Sequence, residues 1–376
     1  MYIAHTISKI CKIVLLFFVL TGCSDSTITS SGIDSNQKFP ITVYIAKDGN
    51  LEIINYEMNA LENVKLKMNI FNKPYYRGEY SEIIKYNNSI ILSGYSNIVI
   101  LDENRTLEYL DLEKTFCSTL YGKGSNAGAN RHSIAYDGEN IYFIQYLGTN
   151  EQQRNVLGLN TPKECIVIDE NVGIDSFVYI ENNKINVLLR ELYASDLEND
   201  EIGNTIIHRI YDLEGNEIEI SRYVLDIDFG AMYNYFQHKE SKYFHLISEE
   251  ESILVQIDEN DRQYIKYPRN EFYYSPSNKD ENFKIVDDYL YLFKGDSIDK
   301  IDLNSFRIEQ SFSLETDSEE EFYARSVKFG DKYFYVIADK DIYCYDLEKF
   351  SLAKKVKHSI KFDETIPTSL ILENSD

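Results

Sequence analysis

From Ile41 onward, apolar and polar residues alternate in short runs of period two, or fuse into brief apolar stretches rich in Ile, Val, Tyr and Phe, divided by Asn, Asp and Gly. That is the pattern of strands and turns, and no segment shows a convincing helical period. The runs recur. Y-F-Y-V-I-A-D-K-D-I-Y-C-Y-D-L-E-K-F-S begins at Tyr333, and 44 residues earlier Y-L-Y-L-F-K-G-D-S-I-D-K-I-D-L-N-S-F-R begins at Tyr289. The segment Ser89–Asp102 aligns on Tyr289–Asp302 without gaps, and looser copies end at Asp169, Asp212 and Asp258. A first copy places Asn55 where the others have Asp.

These markers, Asn55, Asp102, Asp169, Asp212, Asp258, Asp302 and Asp346, stand 47, 67, 43, 46, 44 and 44 residues apart. Seven units of that length, each with about four short strands, predict an all-β seven-bladed β-propeller built of four-stranded antiparallel blades. In the last unit strand A is R-S-V-K-F from Arg325, B is K-Y-F-Y-V-I, C is D-I-Y-C-Y and D is L-A-K-K-V-K. Each Asp marker closes strand C, where its carboxylate is placed to accept backbone N–H groups of the following turn. The first unit lacks a strand A, whereas the C-terminal tail T-I-P-T-S-L-I-L-E reads as a lone one. The tail is therefore predicted to pair with the N-terminal blade and close the ring, which removes an open sheet edge.

The chain contains no tryptophan, which argues against repeat types whose signatures rely on it. The segment Y-V-I-A-D-K-D-I-Y-C-Y-D from Tyr335 to Asp346 resembles the YVTN/YncE-like repeat, in which a Tyr-Val strand leads into a strand ending in Val/Ile-Asp. The resemblance implies a seven-bladed propeller in an extracytoplasmic setting and no single activity, because propellers serve as scaffolds, ligand binders and enzymes.

The N-terminus changes the picture from fold to address. A flank holding Lys9 and Lys12 precedes I-V-L-L-F-F-V-L-T-G-C, an apolar run far short of the ~20 residues that span a bilayer. Residues 1–22 read as a signal peptide, and Leu20-Thr21-Gly22-Cys23 resembles the lipobox of bacterial lipoproteins. That resemblance implies diacylglyceryl transfer to the Cys23 sulfur, cleavage just before it, and a protein held on the outer side of a bacterial cell membrane by acyl chains. Residues 23–38, small and polar, read as a tether, and residues 39–376 as the propeller.

Net charge is −24, and without the signal segment 36 bases face 62 acids. Such a body repels nucleic acid and anionic lipid and carries no basic stripe, so nucleic-acid binding is excluded. Nothing in the pattern marks an oligomer, and the chain reads as a monomer. Beyond Cys11 and Cys23, three cysteines remain, with no metal spacing. At most one disulfide is available, Cys117–Cys165 being one pairing, while Cys165 and Cys344 sit in strand-like runs and read as small core residues.

In propellers the B–C and D–A connections emerge on one face, around the mouth of the central channel. The longest irregular segments, Lys114–Asn130, Leu147–Lys163 and Tyr193–Asn204, all belong to that face on blades two to four, which makes this rim the expected contact surface. Aligning the A strands places Glu82, Arg131, His132, Asp175, Tyr235, Glu281 and Arg325 at the mouth, with His132 the one plausible proton shuttle among them. Phe272, Tyr273 and Tyr274 lie in a further connection on the same face and suit a glycan or a partner protein. No cofactor is required by any motif. A divalent cation remains open at the mouth or at the acidic Asp196–Glu201, although EF-hand spacing is absent there.

Two classes of function stay open. One is an envelope module that binds a protein or a carbohydrate. The other is a lactonase-like hydrolase or a lyase, with Arg131, His132, Asp175 and Arg325 as candidate catalytic residues. The scarcity of histidine, and the lack of a nucleophile elbow or zinc spacing, favour binding over catalysis.

Overall fold

The computed structural model describes most of residues 41–374; residues 1–40, the segments 66–79, 122–128, 149–154, 192–202, 270–281, 315–323 and 359–368, and scattered shorter positions lie outside the described residues. The signal, lipidation and tether readings, the acidic segment at 196–201, and Phe272, Tyr273, Tyr274 and Glu281 all fall outside them. The chain forms seven four-stranded antiparallel sheets arranged as a β-propeller. Blade one is closed as the tail predicted: Ser369–Asn374 pairs with Ile41–Lys47, running from Ile41 opposite Asn374 to Ala46 opposite Ser369. First and last strands thus share one sheet.

Hydrophobic packing lies between the blades, because each sheet buries both faces. Ile83, Ile90, Leu92 and Val99 of blade two meet Tyr44, Leu51 and Ile53 of blade one. Tyr142, Ile144 and Leu159 of blade three meet Val178, Ile185, Val187 and Leu189 of blade four. Strand B and strand C runs such as Leu188 and Leu189 therefore read as continuously apolar rather than alternating.

The repeated D-L-x-x-F of the last two blades acquires a physical meaning here. Asp346 Oδ1 accepts the N–H groups of Glu348 at 3.0 Å and Lys349 at 2.9 Å. Asp302 Oδ1 does the same for Asn304 at 2.8 Å and Ser305 at 2.9 Å. The turn brings Phe306 and Phe350 into the left-handed region, at φ 48° and 53°. That conformation is costly for a non-glycine residue, and burial of the ring offsets it. Phe350 stacks on Phe312 at 3.8 Å and on Tyr291 at 5.6 Å, both in the preceding blade, and Phe306 packs against Tyr243 at 5.9 Å. The motif repeats because each copy plugs the seam to the blade before it.

Blade three departs from the sequence reading. Its order is Cys165–Asp169, Asn155–Asn160, Ile141–Gly148 and Ala129–Tyr136, so E-C-I-V-I-D is strand D and N-V-L-G-L-N is strand C. The marker is Thr161, whose Oγ1 accepts the N–H groups of Lys163 at 3.3 Å and Glu164 at 3.1 Å. A hydroxyl does there what a carboxylate does elsewhere, and Asp169 is not the marker. The expected loop Leu147–Lys163 shrinks to 149–154, and Tyr193–Asn204 loses Gly203 and Asn204 to strand C of blade four.

The segment Lys114–Asn130 is also corrected. A single 3-10 turn, Leu112–Lys114, leads into a six-residue helix, Phe116–Tyr121. A helix that short shows no period in sequence, and its Phe, Thr and Tyr read as strand formers. It is held by buried polar groups: Gln145 Nε2 donates to the Leu112 carbonyl at 3.0 Å, and its Oε1 accepts from Thr115 at 2.6 Å and Asn160 at 2.7 Å. Asn160 Oδ1 accepts the Cys117 N–H at 3.1 Å. Cys117 is disulfide-bonded to Cys165 across a Cα separation of 4.8 Å, so Cys165 is not a free core cysteine. Cys344 lies outside this disulfide, as a buried thiol.

Candidate functional site

Strand A of a blade is a terminal strand of its sheet, and in five blades it carries an irregularity in its pairing near its start. Register shifts occur between Tyr80 and Glu82, Ala129 and Ile134, Val172 and Ser176, Met232 and Asn234, and Ala324 and Ser326. Bulges bend a strand and re-aim side chains, and they gather at barrel rims and beside active sites. Arg131 and His132 lie within the third-blade irregularity, Asp175 within the fourth and Arg325 within the seventh. The backbone thus brings these four sequence-predicted residues to corresponding places on strands A. Side chains of Glu82, Arg131, His132 and Asp175 lie outside the described residues; that of Arg325 is half-buried.

In blade five the bulged residue is Tyr233, two positions before the expected Tyr235. Tyr233 is half-buried, with its ring 5.7 Å from that of His245. Alternation predicts only parity along a strand, and an unpaired extra residue is invisible to it. Tyr235 packs instead in the seam between blades four and five, its ring 5.3 Å from Tyr179 and 5.0 Å from Phe244. Burial pushes the hydroxyls of both Tyr179 and Tyr235 to higher pKa.

The same seam holds His208, stacked 6.5 Å from Tyr179, with Nε2 3.0 Å from Asn186 Oδ1. Burial first, and the Lys242 ammonium second, lower its pKa from 6.5 to about 4, against a smaller opposing pull from Glu219. The fold therefore holds His208 neutral. Its contribution to stability is complete above the unfolded value of 6.5 and is lost as pH falls toward about 4, where the native imidazole also protonates. Urea titrations across that window should show a His208→Gln chain losing about one proton's worth of the pH dependence of unfolding free energy. An unchanged slope would remove His208 from the acid response.

Blades five and six share a seam that is apolar in one part, around Phe236, Tyr243, Leu290 and Ile301. Its other part is polar. Lys294 Nζ lies 3.3 Å from Asp299 Oδ2, with the two side chains 11% and 1% exposed. The Lys294 ammonium also sits 5.4 Å from the Tyr267 ring centre, and Asp299 Oδ1 accepts from Ser311 at 2.6 Å. Asn234 Nδ2 donates to Asn282 Oδ1 at 2.5 Å, and His245 Nε2 lies 2.5 Å from Ser252 Oγ. Tyr267 and Asn282 flank the connection 270–281 that contains the Phe272–Tyr274 aromatics. Sequence reasoning missed this cluster because its members are scattered over 78 positions, from Asn234 to Ser311. The His245–Ser252 pair has the composition of a base and a nucleophile. With 2% and 1% exposure, however, both are closed to a substrate in solution, and the pair joins strands of the sheet. Among the described residues no group of three or more His, Cys, Asp or Glu is placed to hold a metal ion.

No family model matches the chain, and no curated protein matches it. Among solved structures it is similar to apo AztD from Citrobacter koseri, at 10% identity and a TM-score of 0.43, covering 88% of this chain and 98% of that one. It is also similar to a protein of unknown function from Bacteroides caccae, at 10% identity and a TM-score of 0.40, over 89% and 99%. The dihydro-heme d1 dehydrogenase NirN in complex with DHE is matched at 10% identity and a TM-score of 0.45, over 91% and 76%. At these values the likenesses carry no argument about ligand or activity.

Proposed function

We propose that this propeller is an exported module, anchored by lipid at Cys23 on the outer face of a bacterial membrane, that binds an envelope protein or other envelope ligand through its loop-bearing face. The observation that carries the reading is the Cys117–Cys165 disulfide. Bonds of this kind persist in oxidising compartments and are rare in the cytosol. They accord with the export expected from the N-terminal run of apolar residues and the Leu20–Cys23 sequence. The buried state of the His245–Ser252 pair supports binding over hydrolysis at that place.

In cells fed an alkyne-bearing fatty acid, the full chain should become labelled and sediment with membranes. Cys23→Ser should lose the label and leave the membrane fraction. A labelled Cys23→Ser chain would falsify the anchor. For the binding role, the membrane-held protein is cross-linked in its own cells and purified. A stoichiometric envelope protein lost on deletion of 149–154 and 192–202 is the expected result. Retention of that partner in the deleted chain would move the contact away from the rim of blades three and four.

A further inference from the structure

In blades six and seven one backbone bond marks the face on which strand A turns into B and strand C into D. The Leu303 N–H donates to the Asp288 carbonyl at 2.8 Å, and the Leu347 N–H donates to the Lys332 carbonyl at 2.9 Å. Each joins the turn after strand C to the residue that enters strand B. Blade one makes the same bond, its Tyr56 N–H donating to the Ile41 carbonyl at 3.0 Å. There, however, Ile41 begins the first described strand, and it pairs with Asn374 at the far end of the closing strand. The N-terminal strand therefore starts, and the closing strand ends, on this turn face. Strands B and C of blades three and four are joined at their other ends, by 149–154 and 192–202, on the loop-bearing face.

We propose that the turn face lies toward the membrane and that the loop-bearing face is held away from it, open to an envelope protein that is not embedded in that membrane. The inference rests on the lipid anchor proposed above. Seventeen residues, 24–40, separate Cys23 from Ile41, and a polar chain of that length reaches roughly 20–25 Å on average. To bring the loop-bearing face down to the bilayer, that chain would pass outward over strands C and D, about 10 Å, and then about 20 Å along the height of strand Ile41–Lys47. The path of about 30 Å exceeds the mean reach before any loop is crossed. With the turn face toward the membrane, no such detour is needed.

Charge does not reverse this preference. The marker carboxylates of Asp102, Asp212, Asp302 and Asp346 lie on the turn face, and anionic lipid repels them, but only over about 8 Å at physiological salt. A tether of that reach spans the gap, so the face stands off the bilayer without inverting. The rim on blades three and four is also two and three blades round the ring from the blade that receives the tether. A partner confined to the bilayer meets the turn face first, whereas one approaching from the outer side meets the loops.

Cys344 is buried and Cys117 is bonded to Cys165, so in the full lipidated chain a donor dye is directed to an introduced thiol. Glu214→Cys, in the turn after strand C of blade four, replaces a side chain 65% exposed and reports the turn face. Glu249→Cys, exposed between strands B and C of blade five, reports the loop-bearing face. Each chain is reconstituted into vesicles of phosphatidylcholine and phosphatidylglycerol whose headgroups carry an energy acceptor. The dye on Glu214→Cys should lose most of its fluorescence, and that on Glu249→Cys, about 20 Å farther off, should keep most of its own. Equal losses, or a larger loss on Glu249→Cys, overturn the orientation. Flotation of the same vesicles reads the anchor separately, and a chain that does not float removes the anchor and the orientation with it. In cells, a photo-crosslinking residue at position 249 should capture a protein whose sequence holds no membrane-spanning segment. Capture of a protein with such a segment overturns the choice of partner.

Discussion

Replacing Asp299 by leucine should cost the propeller about 3–5 kcal/mol, and adding Lys294→Met to the same chain should recover most of that loss. The two side chains face one another in the polar seam between blades five and six, at 3.3 Å and almost without exposure. Removing the carboxylate alone takes from the buried Lys294 ammonium the counter-charge at 3.3 Å, and from Ser311 its acceptor. The penalty is dominated by the stranded charge rather than by the attraction lost. Removing both partners leaves an apolar pair of similar volume, and such replacements are often neutral. Urea unfolding of the wild type, the two single variants and the double variant gives the coupling energy directly. A double variant as unstable as Asp299→Leu would show that the seam needs its polarity for another reason, and would direct ligand screening to Tyr267 and Asn282.

How much of this was legible depends on what each feature leaves in the chain. The ring and its closure were, because strand runs, Asp turns and a stray terminal strand each leave a local mark. The D-L-x-x-F turn was legible as a repeat, though not as a seam plug, since its Phe contacts lie in another blade. Blade three misled because Thr161 takes the place of Asp and Gly158 interrupts the strand run. A displaced marker moved strand C by a whole strand. The alignment of strands A met a different obstacle: in five blades an irregularity near the start of the strand shifts it, and in blade five the bulged residue is Tyr233 rather than Tyr235. Arg131, His132, Asp175 and Arg325 each fall within such an irregularity. The polar seam left no mark at all. Each member, read alone, is an ordinary strand residue, and only the packing of two blades makes them neighbours.

The Cys117–Cys165 disulfide was one pairing among those the cysteine count allowed, and its expected effect is the other large one. Its two ends are 48 residues apart in sequence, and closing a loop of that length removes enough unfolded-chain entropy to stabilise the fold by about 4 kcal/mol. The Cys117→Ala/Cys165→Ala chain should therefore unfold at a urea midpoint lower by that free energy divided by the m-value, with m itself rising as the unfolded chain expands. The loss should be global rather than local. The helix Phe116–Tyr121 remains docked by Gln145 and Asn160, so protection of the Cys117-position N–H, which Asn160 accepts at 3.1 Å, should persist in the native state without the disulfide. A helix that exchanges freely in that variant, while the midpoint barely moves, would reverse the assignment: the bond would then pin one local element, and the blades would supply their own stability. Either result bears on export. Under the export proposed above, a fold that depends on the bond for about 4 kcal/mol would mature only after arrival where the bond forms.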